Sequence, residues 1–131
     1  MAIRRVLRMG HPLLRQVAVP VERFGTAELR ELVADMDDTM RALNGAGIAA
    51  PQIGVSLRVV IFEVTRNPRY PQVAPVPHTV LINPQLEPVG DERDEAWEGC
   101  LSVPGLRGVV TRHTNLRYRG LDLEGRSEEH T

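Results

Sequence analysis

The sequence has no lysine: all 16 of its basic residues are arginine, and they stand against 17 acidic residues for a formal charge of −1. That balance removes the bulk electrostatic attraction for nucleic acid, which needs clustered, uncompensated basic side chains. The missing lysine itself is read as coding bias toward GC-rich codons, a property of the genome and not of the chemistry. Long apolar runs are lacking too. Stretches such as Val59-Val60-Ile61-Phe62 fall far short of the ~20 residues a helix needs to cross a bilayer, so no membrane partner is expected. Cysteine is nearly absent: Cys100 alone permits no internal disulfide and points to a reducing, cytoplasmic setting. Arg4, Arg5, Arg8 and Arg15, with no acid before Glu22, imitate a transit peptide. Leu7, Leu13, Leu14 and Val17 nevertheless read as ordinary core residues of the domain. At 131 residues the chain fits one compact domain.

What is present begins with an irregular arm over residues 1–24, in which Pro12 and Pro20 break any helix. From Thr26 to Asn44 the apolar residues Leu29, Leu32, Val33, Met36, Met40 and Leu43 recur at helical spacing, and acidic and basic residues, Asp35 among them, lie mostly elsewhere. Thr26 is the expected N-cap, and Gly45 is the expected left-handed residue that ends the helix. Leu57 to Thr65 and Thr79 to Ile82 read as buried strands, with a proline-rich loop from Asn67 to Pro77 between them. Gln85 to Glu95, Leu106 to Thr114 and Asn115 to Glu124 read as further strands. One helix followed by several strands without βαβ alternation predicts an α+β fold, with mainly antiparallel sheets around an N-terminal amphipathic helix.

Two segments carry candidate chemistry. Gly45-Ala46-Gly47-Ile48-Ala49-Ala50-Pro51-Gln52 follows the helix directly. Its small residues let backbone approach a ligand closely, and Gln52 offers an amide donor; a helix end followed by a tight turn explains the glycines about as well. Phosphate binding does not fit, because these glycines follow a helix instead of preceding one. The second segment is Glu98-Gly99-Cys100-Leu101-Ser102. Its cysteine is a metal thiolate, a nucleophile or a small core residue. As a nucleophile it needs a base, and none of His11, His78, His113 and His130 carries a local signature for that role. The acidic stretch Asp91, Glu92, Asp94, Glu95 reads as a solvated edge and lacks the spacing of a calcium loop.

Taken in this order and separation, the two segments resemble those of the peptide deformylase family. His11-Pro12-Leu13-Leu14-Arg15, Ile82-Asn83-Pro84 and Val103-Pro104-Gly105 with Arg107 extend the resemblance over about residues 3–125. It implies a metal-dependent amidase that removes the formyl group from N-formylmethionyl peptides, with ribosome association as a further partner. It also implies Cys100 as a ligand of one divalent cation, Fe²⁺ first and Zn²⁺, Ni²⁺ or Co²⁺ on isolation. By the same resemblance Gln52 and the backbone N–H of Leu101 donate to the formyl oxyanion. Gly47 and Gly99 lie along the substrate peptide, and Arg107 holds substrate or Glu98.

The family pattern also has an HExxH motif on a C-terminal helix, supplying two histidine ligands and a general base. This sequence contains no such motif, and neither His113 nor His130 replaces it. The expectation is therefore an incomplete deformylase-like domain over residues 1–125, without that helix, followed by a non-native tail over residues 126–131. The tail Arg126-Ser127-Glu128-Glu129-His130-Thr131 can be spelled by codons matching a common sequencing-adapter sequence. A chain of this kind is expected to be poorly folded and to lack turnover. The other class of reading is a non-catalytic protein that binds formylated peptides in the same groove, and a third is a cysteine-nucleophile hydrolase.

Overall fold

The computed structural model describes residues 2–65 and 74–131; most of the expected 67–77 loop lies outside them. Among the described residues one α-helix, α1 (Ala27–Ala42), precedes seven strands: β1 (Gly47–Ala49), β2 (Val59–Val64), β3 (Val76–Pro88), β4 (Arg93–Cys100), β5 (Val103–His113), β6 (Leu116–Leu121) and β7 (Ser127–His130). Five of them form an antiparallel sheet in the order β1-β2-β3-β6-β7, and β4 and β5 form a separate antiparallel ribbon. The α+β expectation holds, with 3₁₀ turns at Pro12–Arg15 and Ala50–Ile53.

The Thr26 side chain accepts from the Leu29 N–H at 3.2 Å, capping α1 as its sequence position predicts. The helix exit differs from expectation. Asn44 carries the left-handed conformation (φ 54°), Asn44 N–H donates to Arg41 O, and Gly45 N–H donates to Met40 O at 2.9 Å. This is a Schellman closure with asparagine at C′, the other residue that tolerates it. Gly45 is glycine for a different reason: an added Cβ would lie 2.9 Å from Leu101 Cδ1.

Leu29, Leu32, Val33, Met36 and Met40 of α1 are buried against Ile48 of β1, Val59 and Ile61 of β2, and Ile82 of β3. Full burial of such side chains is worth about 1.5–3 kcal/mol each. Leu43, expected on the same stripe, is 48% exposed. Asp35, expected on the polar side, is buried because the N-terminal arm crosses it. Its carboxylate accepts from Ala2 N–H and Arg4 Nε–H, each at 2.7 Å, and Thr39 Oγ1 accepts from Arg4 N–H at 2.8 Å. Burial raises the Asp35 pKa, but the bonds from Arg4 and Ala2 outweigh it and hold the carboxyl below its ordinary value.

The expected strands 79–82 and 85–95 are corrected. Residues 76–88 form one strand, bent where the register shifts between Ile82 and Gln85. Asn83 sits at that bulge with φ 52°. Its side-chain amide pairs with the arm, accepting from Val21 N–H at 2.9 Å and donating to Val21 O at 3.0 Å. Gly90 (φ 75°) then turns the chain, so the acidic stretch divides between that turn and β4. The ribbon leaves large apolar side chains exposed, Trp97 at 68% and Leu106 at 66%. Residues 127–130 pair with β6 as edge strand β7, where Glu128 Oε2 is buried without a hydrogen-bond partner.

Candidate active site

The two sequence segments meet in space. β1 stands at the end of the five-stranded sheet, hydrogen-bonded to β2 with Gly47 opposite Phe62. Beyond Ala49 the chain enters the 3₁₀ turn that carries Gln52, which Gly54 closes in the left-handed region (φ 87°). The ribbon supplies the other wall, because β4 ends at Cys100 and Leu101-Ser102 make the turn into β5. Between the walls lies an open cleft of about 770 Å³, lined by Leu43 to Gly47 on one side and by Gly99 to Leu101 and Val103 to Arg107 on the other. Gly47, Gly99, Cys100, Leu101 and Arg107 therefore share one cleft, and Gln52 reaches it through its side chain.

Cys100 is exposed. The Gln52 amide is held at both ends: Oε1 accepts from Ala49 N–H at 2.9 Å, and Nε2 donates to Ser102 Oγ at 3.0 Å while lying 3.7 Å from Cys100 Sγ. Gly47 admits the close approach of β2, since an added Cβ would stand 3.3 Å from Ile61 O. Leu101 packs its side chain against the main core and into the space left at Gly45. Arg107 pairs with Gly99 across the ribbon, and its side chain runs beside that glycine.

Glu98 is held by Arg112 and not by Arg107. Arg112 donates through Nε and Nη2 to the two carboxylate oxygens at 3.0 and 2.8 Å. Hydrogen bonding from Arg112 draws the Glu98 pKa below its ordinary value and raises that of Arg112. Sequence reasoning missed this arginine because its partner lies 14 positions away, a distance meaningful only once the β4–β5 register is known. It also passed over Ser102, visible only as the last letter of the second segment, and over Leu7 and Met9 of the arm. Leu7 N–H donates to Gln52 O at 2.7 Å and Met9 N–H to Ser102 O at 2.8 Å.

The histidines are engaged elsewhere. His11 Nδ1 accepts from Leu13 N–H, His78 bonds Asp37 at 2.7 Å, His130 stacks on Tyr118, and His113 pairs with Arg93 at the far end of the ribbon. Among the described residues no three His, Cys, Asp or Glu side chains form a group able to hold a metal ion. Cys100 is thus a single available ligand, and one thiolate does not complete a four-coordinate site. No helix among the described residues is long and apolar enough to cross a membrane.

A sequence profile of the family described as Polypeptide deformylase matches residues 3–131. Peptide deformylase 1 of Nitrosomonas europaea is 60% identical over 129 residues, which cover 98% of this chain and 73% of that protein. Peptide deformylase 2 of Ralstonia nicotianae is 61% identical over 123 residues, covering 94% and 70%. Among solved structures, a class I type b peptide deformylase from Acinetobacter baumannii bound to Met-Ala-Ser superposes with a TM-score of 0.92 at 36% identity. That match covers 98% of this chain and 82% of the other. The peptide deformylase of Legionella pneumophila gives a TM-score of 0.85 at 38% identity, covering 98% and 70%. These relatives put the scaffold among the metal-dependent amidases. The chain belongs to the polypeptide deformylase family.

Proposed function

We propose that these residues form the substrate groove and oxyanion site of a peptide deformylase, the amidase that hydrolyses the N-terminal formyl group of formyl-methionyl peptides. The observation that carries the reading is the Gln52 amide, pinned 3.7 Å from the Sγ of Cys100, a residue that lines the cleft. In this reading Gln52 Nε2 and Leu101 N–H donate to the charge developing on the formyl oxygen. Such a donor is worth about 2.7–4 kcal/mol of transition-state stabilisation. Gly47 on the sheet edge and Gly99 on the ribbon face the substrate backbone, which adds as a strand between them, and Arg107 holds it from β5. Cys100 is one ligand of a divalent cation, Fe²⁺ first, that supplies Lewis-acid polarisation and an acidified water when bound. Among the described residues no His, Asp or Glu joins Cys100 in a group able to hold the ion. A reducing cytoplasm, supported by the single cysteine, and contact with nascent chains at the ribosome belong to the same proposal.

The donor set favours a second reading for these residues taken alone: formyl-peptide binding without turnover. One experiment addresses both. Titrating ¹⁵N-labelled chain with formyl-Met-Ala-Ser, with and without anaerobic Fe²⁺, should shift amides of Gly47, Gly99, Leu101 and Arg107 while releasing negligible formate. Shifts confined to other surfaces reject the groove, and stoichiometric iron with turnover rejects the single-ligand account. The proposal also takes residues 1–125 as the family domain and 126–131 as a non-native tail. It is supported by the adapter-like codons that can spell residues 126–131. Resequencing the locus decides it, since a genuine stop codon directly after Thr131 would reject the tail assignment.

A further inference from the structure

We propose that Ser102 is a positioning residue that locks the Gln52 amide, and that the N-terminal arm sets the spacing between the two. The proposal rests on the oxyanion reading of Gln52 for its functional meaning, but its geometry stands on its own. A glutamine amide rotates about a soft, two-fold terminal torsion, so nothing internal to the side chain decides whether its N–H or its C=O faces a ligand. Two neighbours decide it here. The Ala49 N–H can only donate, so the atom 2.9 Å away must be the oxygen. Flipping the amide would set two donors against each other. The Ser102 hydroxyl, on a residue 6% exposed, then accepts from Nε2 at 3.0 Å and uses one of its two protons. The other proton remains for the side of the amide that faces Cys100 Sγ.

The backbone frame is held separately. Leu7 and Met9, two positions apart on the extended arm, donate their N–H groups to Gln52 O and Ser102 O at 2.7 and 2.8 Å. One short run of arm therefore ties the 3₁₀ turn to the ribbon turn by main-chain bonds that no side-chain substitution at position 102 removes. Deleting the Ser102 hydroxyl should loosen the NH₂ end of the amide and leave the Ala49 bond and the frame intact.

The test reads the amide directly. In ¹⁵N-labelled chain the Gln52 side-chain NH₂ pair is assigned by its loss in Gln52→Glu. In the wild type its protons should exchange with solvent more slowly than those of exposed Gln16. Equal rates would overturn the proposal without any Ser102 variant having to fold. Ser102→Ala should speed Gln52 side-chain exchange about 5-fold, the equivalent of one hydrogen bond of ~1 kcal/mol. Backbone exchange at Leu7 and Met9 should not change, and Ser102→Thr, which keeps the oxygen, should restore the wild-type rate. An unchanged Gln52 rate in Ser102→Ala, or a Thr variant that behaves like Ala, also overturns it. None of these readouts depends on peptide or metal. A locked amide in a chain that fails to bind formyl-Met-Ala-Ser would reject the functional reading and leave the positioning role standing.

Discussion

The first residues of the arm are clamped to α1 through Asp35, and Asp35→Asn tests that clamp. Asparagine keeps Oδ1 as an acceptor for the Ala2 N–H, but its NH₂ group takes the place of Oδ2 and meets the Arg4 Nε–H donor on donor. The charge-assisted contacts of Arg4 Nε and Nη2 with that oxygen are lost together, worth about 1.5–3 kcal/mol. The Arg4 side chain is 38% exposed and can turn to water, so the loss should fall near the lower end, ~2 kcal/mol. That is a large share of the ~5–15 kcal/mol that holds a domain together. With a urea slope of ~1–3 kcal/mol/M, the unfolding midpoint should fall by roughly 1 M at pH 7. The effect must also depend on pH with a definite sign. The folded-state pKa of Asp35 is depressed, so its contribution is full above the unfolded value of about 3.9 and is lost as pH falls through the lower folded value. Wild type and variant should therefore converge in stability as pH falls through that depressed folded-state value. Equal midpoints at pH 7, or a gap that persists undiminished into acid, would refute the clamp.

Gly45→Ala puts a methyl 2.9 Å from Leu101 Cδ1, and because that tip can rotate the overpacking should cost only about 1 kcal/mol. The more telling readout is displacement of the Leu101 and Cys100 amide resonances, and unmoved resonances would show that Gly45 does not shape the ribbon turn. Arg112→Gln removes the paired donors from Glu98 and should raise the Glu98 titration midpoint toward the ordinary carboxylate value, followed by side-chain ¹³C NMR. A midpoint that stays where it is would mean that Arg112 does not set the charge on Glu98.

The main helix was legible because one side of α1 packs against a sheet, and a 3.6-residue period records that side directly; Met36 and Met40 fall where the pattern puts them. Asp35 was not legible, since its burial is imposed by a segment 31 positions away in sequence. The helix exit misled for a related reason. Asn44 and Gly45 are both acceptable at a left-handed end; Asn44 takes it, and Gly45 is glycine because of Leu101, a contact across the domain. The continuity of β3 was not legible, since Asn83-Pro84 separates its two apolar stretches. The chain instead crosses it on a bulge, because Asn83 tolerates positive φ and recovers its hydrogen bonds from Val21.

The site divides along the same line. Residue type announced Cys100 and Gln52, because a thiol and an amide after a glycine-rich turn have few bland explanations when they recur at family spacing. What holds them announced nothing. Ser102 is a common residue, and Leu7 and Met9 contribute through main-chain N–H groups that every residue but proline possesses. Their position matters more than their identity: Met9 is 73% exposed, so another non-proline residue there should be tolerated where substitution at 52 is not. Proline at position 7 or 9 removes one of the two main-chain bonds by which the arm ties the 3₁₀ turn to the ribbon, without altering one atom of Gln52, Cys100 or Ser102.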